Sequence, residues 1–454
     1  MNRHLIAGQF NPDDRLEIPN SVDEQVTRLD LISGNRYLQY GIGEALTNLN
    51  SRGIFPSEIG LDLLILAAHV HAADTRISRT TQSQDSWTRE IRLVVPVSDT
   101  DRWSAATNTL KKILDFLTGD QWIVGFRQRP ERFANIASSR GMLFPPPFNE
   151  ISLFSGGLDS LIGAINLLQD GRIPLLISHA GEGATSDAQG SLFGKLKQHY
   201  SGSLFDRLRV WMAFPKGLVK GVNSENTTRG RSFLFFAIGA FAGSGLGSNF
   251  VLRVPENGLI ALNVPLDPLR LGSNSTRTTH PFYMSGWNDL LYEIGIDGRV
   301  ENQYWDKTKG EMVDQCKNGF LLKKLVADSL SCSSPTKGRW KGHGIEHCGY
   351  CLPCLIRRAA LDAAWGPGSD STVYTVSDLR AQPLNTNESI GKQVRSFQVA
   401  IERLRRKPDL ARLLIHKPGP LTNETLKLKQ LADVYMRGLN EVAHLIRGVT
   451  TRSC

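Results

Sequence analysis

The sequence predicts an α/β protein whose central part is a doubly wound parallel sheet. Between residues 148 and 365, continuous apolar segments alternate with helical ones, as in parallel sheets covered by helices on both faces. Within this part, a short buried strand beginning at Ile151 turns through Gly156 and Gly157 into a predicted helix over 158–169. Ligands of such sheets bind beyond the carboxyl ends of the strands, so this turn marks the expected site.

The other elements of the central unit follow in alternation. Apolar runs predict strands at 173–179, 208–214 and 250–255, and helices over 187–200 and 231–241. Polar residues follow several of these strands, which is where a ligand of a parallel sheet is expected.

Residues 1–147 form a predicted N-terminal α/β unit that ends at the stiff Pro145–Pro147 joint. We expect a small sheet with helices on one face. The predicted elements are a buried helix over 61–73, a strand at 89–97, an amphipathic helix over 99–117 and a strand at 121–127. His69 and His71 are two residues apart, so they point to different faces of the helix and are interpreted as core or rim histidines.

Residues 366–454 form a predicted C-terminal helical module after a Gly- and Pro-containing linker. Helices are predicted over 389–404, 408–415 and 422–446. No pattern of catalytic residues occurs here, so the module is interpreted as a helical cap or an interaction surface. The N-terminal unit is likewise open to a structural, oligomerisation or partner-binding role.

Net charge is +9 and the sequence pI is near 9.3, which fits either a solvated basic surface or attraction for nucleotides, RNA or an acidic partner. The charges are spread along the chain, so they leave nucleic acid open as a partner without favouring it. The sequence has no apolar leader segment and no run long enough to span a bilayer, so we expect a cytoplasmic protein without membrane contact.

The segment Ser155-Gly156-Gly157-Leu158-Asp159-Ser160 has the features of an anion site. A strand, a glycine turn and a helix N-terminus direct backbone N–H groups and the positive end of a helix dipole to one point. The segment lacks the lysine of a Walker A loop, so it is a different kind of phosphate loop. Ser178 and His179, at the end of the next strand, are expected to contact the nucleotide whose phosphates this loop binds.

Cationic side chains at helix starts are the next candidates. Arg229 and Arg231 lie at the start of the predicted helix over 231–241, where two guanidiniums can bind triphosphate oxygens. Lys309 lies in Thr308-Lys309-Gly310-Glu311, which opens another helix. A lysine is unfavourable at a helix N-terminus, so its presence there suggests that it binds phosphate.

Two polar stretches are candidates for substrate contacts. Glu256 and Asn257 follow the strand at 250–255, and a loop rich in hydroxyl and cationic groups comes later. The residues singled out in that loop are Arg270, Ser275, Arg277 and His280. Such a density of donors suits an anionic ligand, and Arg277 in particular matches a carboxylate.

Four cysteines predict a metal site. Cys332 is followed by Cys348, Cys351 and Cys354, and the two C-x-x-C steps let backbone turns wrap one ion. A closed set of four thiolates suits structural Zn²⁺, with an iron–sulfur cluster as the alternative.

Taken together, the loop Ser155–Ser160, the Thr308–Glu311 segment and the late cysteine set resemble the QueC family, the 7-cyano-7-deazaguanine synthases. The resemblance covers about 148–361 and implies a PP-loop, adenine nucleotide α hydrolase-like fold. It also implies ATP, Mg²⁺ and Zn²⁺ as cofactors, and 7-carboxy-7-deazaguanine as the substrate whose carboxylate is adenylated. Asp159, Arg231 and Lys309 are then the expected catalytic residues, with Asp159 on Mg²⁺ or its water.

The chain differs from housekeeping members of that family in its two flanking units and in its substrate loop. This architecture resembles the QueC-like component of Qat anti-phage defence systems, which implies a partner protein from a defence operon. The amine acceptor is then either ammonia or a group on that partner. The alternatives are a housekeeping-type synthase, a tRNA-modifying PP-loop enzyme and a non-catalytic nucleotide-binding scaffold.

Overall fold

The computed structural model describes residues 3–453 except 12, 15, 19–22, 34–36, 84, 138–144, 182, 226–228, 268–276, 337–341 and 343. The chain is an α/β protein built on two all-parallel sheets, which confirms the predicted class. Among the described residues, no helix is both long and apolar enough to cross a membrane.

The N-terminal sheet has four strands in the order β2-β1-β5-β6, and all neighbours are parallel. The strands of this part are β1 Arg3–Gln9, β2 Glu24–Asp30, the short antiparallel pair β3 Ile32–Ser33 and β4 Tyr37–Leu38, β5 Glu90–Val97 and β6 Gln121–Gln128. Its helices are α1 Ile42–Asn50, α2 Glu58–Arg76, α3 Arg79–Gln82, α4 Thr100–Ala105 and α5 Thr107–Thr118, with a 3₁₀ helix at Glu131–Phe133.

The predicted elements of this part are present, with two differences. The helix expected over 99–117 is divided at Ala106, which ends α4 and begins α5. Strands β1 and β2 were not predicted, because β1 is buried at almost every position and β2 is mixed, so neither shows period-two alternation.

The second sheet has five parallel strands in the order β9-β8-β7-β10-β11. The strands are β7 Glu150–Leu153, β8 Pro174–His179, β9 Asp206–Val210, β10 Phe250–Arg253 and β11 Gly298–Glu301. The helices are α6 Leu158–Gln169, α7 Gly183–His199, α8 Arg231–Gly243, α9 Gly258–Leu262, α10 Pro281–Glu293, α11 Lys309–Asp314, α12 Gly319–Leu325 and α13 Leu352–Trp365, with a 3₁₀ helix at Val326–Asp328. Chain order reverses between β7 and β10, which is where open α/β sheets bind ligands.

One hydrophobic core joins the two sheets. Helix α2 packs along α8, and both helices are buried almost throughout, which explains why each is apolar on every face. The same cluster of buried side chains runs from Ile6 in β1 to Val300 in β11. Proline residues 145–147 therefore separate two sheets that share a core, and the domain boundary there stays a prediction.

The C-terminal helices have a second core of their own. This part contains β12 Leu384–Asn385 paired in parallel with β13 Thr451–Arg452, and the helices α14 Ser389–Arg406, α15 Leu410–Leu414 and α16 Leu428–Leu445. The helix predicted over 422–446 starts as a 3₁₀ helix, Thr422–Lys427, which is interrupted at Glu424. Helix α16 packs on α9 and α13, so it lies against the segment that follows β10.

Candidate functional site

The loop after β7 has the backbone shape that a phosphate loop requires. Gly156 has φ +82°, which favours glycine, and a Cβ there would lie 3.2 Å from the Gln189 backbone nitrogen. Gly157 is the N-cap of α6. The buried Gln189 side chain donates to the carbonyls of Ser155 and His179, both at 3.3 Å, and so ties the loop to the end of β8.

The loop serines differ in exposure. The Ser160 hydroxyl is buried and donates to the Gly157 carbonyl at 2.9 Å, so it holds the first turn of α6. Ser155 is exposed, and its Oγ lies 3.2 Å from Ser160 Oγ and 3.3 Å from the Gly157 nitrogen. Ser155 is therefore the loop hydroxyl that a ligand in solution meets first.

Asp159 is the meeting point of three segments that are distant in sequence. It is only 5% exposed, and one carboxylate oxygen lies 2.7 Å from the Lys309 ammonium. The other oxygen accepts from the Asn257 backbone at 3.2 Å and from the Asn257 side-chain amide at 2.8 Å. The predicted residues Asp159, Asn257 and Lys309 are thus in direct contact at the sheet's switch point.

Glu256 adds a second carboxyl group to this cluster. Burial first, and then the negative charge of Asp159, raise the pKa of Glu256 well above its usual range. Burial alone would raise the pKa of Asp159 too, but the Lys309 charge and bonds from Lys309, Glu256 and Asn257 lower it overall. Within the pair, Asp159 is therefore the stronger acid and Glu256 the weaker one.

Lys309 is the first residue of α11, as the sequence predicted for a helix opening there. Thr308 caps this helix in a capping box with Glu311, whose carboxylate accepts from the Thr308 nitrogen at 2.9 Å. Glu441 of α16 accepts from the Thr308 hydroxyl and, at 3.3 Å, from the Gly310 nitrogen. No sequence pattern indicates Glu441, because its role depends on the docking of the C-terminal helices.

The end of β8 places His179 in a buried setting beside the charge of Arg231. Burial, and next the charge of Arg231, lower the pKa of His179 to about 4. Its ring meets the edge of His71 from α2, with ring centroids 5.4 Å apart. The Ser178 hydroxyl donates to the Phe154 carbonyl at 2.8 Å, so this side chain joins two strand ends.

The two arginines near the start of α8 separate. Arg231 points towards the end of β8, and its guanidinium lies 3.0 Å from where a Cβ at Gly181 would be. Arg229 donates to the Thr118 carbonyl at 3.0 Å and stacks 4.0 Å over the Trp87 ring. Of this pair, Arg231 is therefore the one beside the predicted nucleotide contacts.

Arg277 and His280 are held by contacts within the chain. The Arg277 guanidinium donates to the Phe116 carbonyl at 2.9 Å and lies 4.8 Å from that ring's centroid. His280 is the N-cap of α10, and its Nδ1 accepts from the Phe282 nitrogen at 3.2 Å. These contacts compete with the predicted binding of a carboxylate, while Arg270 and Ser275 lie outside the described residues.

A cavity of about 510 Å³ opens beside the end of β11. Its walls come from α10, from the residues after β11 and from the C-terminal part, and they include Asn302, Trp305 and Lys427. The Asn302 side chain also donates to the backbone carbonyl of Glu256 at 2.8 Å, so one wall of the cavity is hydrogen-bonded to a residue of the carboxyl cluster.

The four cysteines form a compact set that fits a tetrahedral metal ion. All four Sγ atoms lie within 4.8 Å of one another, and Cys332–Cys351 and Cys348–Cys354 are 3.9 Å apart. Zinc–sulfur bonds of about 2.3 Å place tetrahedral sulfurs about 3.8 Å apart. Backbone N–H groups point at the sulfurs, as with Cys351 to Cys348 at 3.3 Å, so the cluster can hold a metal such as zinc.

No protein-family model, curated protein or solved structure matches this chain. The fold and site alone define the class: an α/β protein with a glycine-turn loop at the switch point of a parallel sheet and a four-cysteine metal site.

Proposed function

We propose that the protein is an ATP-dependent enzyme of the PP-loop type that activates a carboxylate by adenylation. The observation that carries this proposal is the contact of Asp159 with Lys309 and Asn257 directly below the glycine loop. Three sequence segments supply one charged cluster at the carboxyl edge of the sheet. Burying these charges costs free energy, and such clusters are common at functional sites.

Each charged group has a role in this reaction. The loop Ser155–Ser160 binds the phosphates through its backbone amides and the dipole of α6. Lys309 and Arg231 offset the charge that develops on the departing pyrophosphate. Asp159 is the ionised carboxylate of the pair, which fits Mg²⁺, a cation that prefers oxygen ligands and supplies charge neutralisation on phosphate.

The proposed acyl substrate is a 7-carboxy-7-deazaguanine-like molecule. The cavity beside β11 has the size of a small-molecule site, and amide side chains and the Trp305 ring suit a planar heterocycle. The bond from Asn302 in its wall to the backbone carbonyl of Glu256 supports this assignment, because it links the cavity to the segment that bears the carboxyl cluster.

The chemistry takes two steps. A carboxylate oxygen attacks the α-phosphorus of ATP, and pyrophosphate leaves. The nitrogen of an amine then attacks the acyl carbon, AMP leaves, and the amine loses one proton. The amine is ammonia or a group on a partner protein, with the partner favoured by the two units that flank the central sheet.

The test is incubation of the protein with ATP and 7-carboxy-7-deazaguanine, with and without its operon partners. We expect substrate-dependent AMP and pyrophosphate, followed by mass spectrometry of small molecules and partners to find the acceptor. Lys309→Met should abolish AMP formation, whereas Lys307→Met, two residues away, should not. Release of ADP and phosphate would contradict the proposal, and free 7-cyano-7-deazaguanine with unmodified partners would favour the housekeeping reaction.

A further inference from the structure

The segment that leads into the metal site lies directly on the phosphate loop. The Leu330 nitrogen donates to the Gly156 carbonyl at 2.8 Å, and Ser331 Oγ accepts from the Leu158 nitrogen at 3.4 Å. Leu158 is the first residue of α6, so the Ser331 hydroxyl holds one of the backbone amides at the start of this helix, directly after the glycine turn.

Two residues that are hydrogen-bonded to each other, Ser331 and His347, each precede a cysteine of the metal site. Ser331 precedes Cys332, and its nitrogen donates to His347 Nε2 at 3.1 Å. His347 in turn precedes Cys348. The bond between Ser331 and His347 therefore lies between two cysteines of the cluster and the loop, and a bound ion would fix both ends of it.

Arg357 supplies a buried positive charge at the same place. It belongs to α13, three residues after Cys354, and is fully buried. Its guanidinium donates to Ser329 Oγ at 2.8 Å, to Ser331 Oγ at 3.4 Å, and to oxygens of Val326 and Thr372. These partners are all neutral, and of these contacts only the one with the Ser331 hydroxyl leads on to the phosphate loop.

We propose that the four-cysteine metal centre positions the phosphate loop through Ser331, with Arg357 as the supporting charge. Metal occupancy then sets how well the loop is ordered and how tightly it binds a polyphosphate. Ser331 is a positioning residue, since it orients the loop without taking part in the reaction. The part of this inference that concerns nucleotide affinity rests on the proposed function, whereas the ordering of the loop does not.

The central test compares serines on the same segment. Ser331→Ala removes the hydroxyl that holds the loop, Ser331→Thr keeps it, and Ser334→Ala is a matched control whose described contact is made by its backbone. We expect unchanged zinc content in all three. Ser331→Ala should speed amide hydrogen exchange across 153–160 by at least tenfold and weaken ATP binding about tenfold, while Ser331→Thr should stay near wild type.

Metal loss is the second arm. Cys332→Ser removes the least buried ligand, and hydrogen exchange across α2 reports whether the rest of the chain stays folded. With α2 still protected, we expect faster exchange in the loop and weaker ATP binding. Unchanged loop exchange after metal loss, or Ser331→Ala behaving like Ser334→Ala, would overturn the inference. If hydrogen exchange in the loop depends on the metal but the protein binds no ATP, the proposed function is wrong and the inference about loop ordering still holds.

Discussion

The two parallel sheets of this protein use charge differently at their carboxyl ends. In the N-terminal sheet, Arg129 follows β6 and is buried between two acids, with Glu58 at 2.5 Å and Asp62 in direct contact. Asp62 is completed by the Ser98 nitrogen at 2.9 Å and by the Trp103 indole at 3.1 Å. This network is closed, because each described charge in it meets an opposite charge.

In the five-stranded sheet the corresponding edge is left incomplete. Two carboxyl groups, Asp159 and Glu256, whose pKa values are shifted in opposite directions, lie beside the Lys309 ammonium, and Ser155 in the glycine turn is exposed next to them. Closed ion pairs hold a structure together, whereas coupled carboxyls beside an open loop are typical of a functional site. The comparison supports the proposal that the second sheet carries the functional site and that the first sheet supports it.

The largest expected effect concerns the metal centre, which only the second half of the chain carries among the described residues. Cys351→Ser should lose the metal and the folded structure of the segment around it, while the hydrophobic cores of the chain keep the rest folded, since structural zinc contributes about 10–16 kcal/mol in small domains. Metal analysis should find about one zinc per wild-type chain. Cys316→Ser, at a buried cysteine outside the cluster, is the control and should keep the metal. An iron–sulfur absorption spectrum would contradict the zinc assignment.

The next prediction breaks the closed network of the N-terminal sheet. Arg129→Met leaves the buried Asp62 without its cation, and we expect the free energy of unfolding to fall by about 3–5 kcal/mol. Arg3→Met removes an exposed ion pair with Glu90 and should leave stability nearly unchanged. Both variants, where folded, should bind ATP within a few-fold of wild type. A loss of ATP binding in folded Arg129→Met would assign the N-terminal sheet to the site.

The third prediction separates charge for stability from charge for function in the second sheet. Asp159→Asn leaves the buried Lys309 unpaired and should cost about 3 kcal/mol of unfolding free energy. It should also lower ATP-dependent AMP formation by about 10²–10³. Adding Lys309→Met removes the unpaired charge, so stability should return while turnover does not. Recovery of turnover in the double variant would show that the pair is only structural.

Much of the second sheet follows from the sequence, because its strands are apolar runs of the length that parallel strands have. The prediction placed β7, β8 and β10 to within two residues, and α8 starts at the predicted Arg231. The end of β9 and the start of α7 were less accurate, since each lies about four residues earlier than predicted and exposed residues obscure the pattern there.

The site was only partly predictable. Asp159, Lys309 and Asn257 were identified singly, because each stands at a strand end or a helix start. Ser331, Gln189 and Glu441 carried no local signal, since their roles arise from contacts across the fold. Arg357 could have been found, because it lies on the same helical face as Cys354 and Leu361, both of which are buried.

The smallest expected effect is a slope with pH, and it comes from Glu256. Its raised pKa means that, between its unfolded value of about 4.3 and its folded value, the native protein binds more protons than the unfolded chain. The free energy of unfolding should therefore fall as pH rises through this window, by at most about 1.4 kcal/mol per pH unit. The contribution of Asp159 to the pH slope has the opposite sign, since its lowered pKa gives stability that is present above about pH 3.9 and lost only in stronger acid.

Glu256→Gln keeps a donor towards Asp159 but has no proton to release. Its unfolding free energy, measured by denaturant titration from pH 5 to 9, should lack this slope. Parallel curves for wild type and Glu256→Gln would mean that the proton does not reside on Glu256, and that the carboxyl edge of the second sheet is as closed as that of the first.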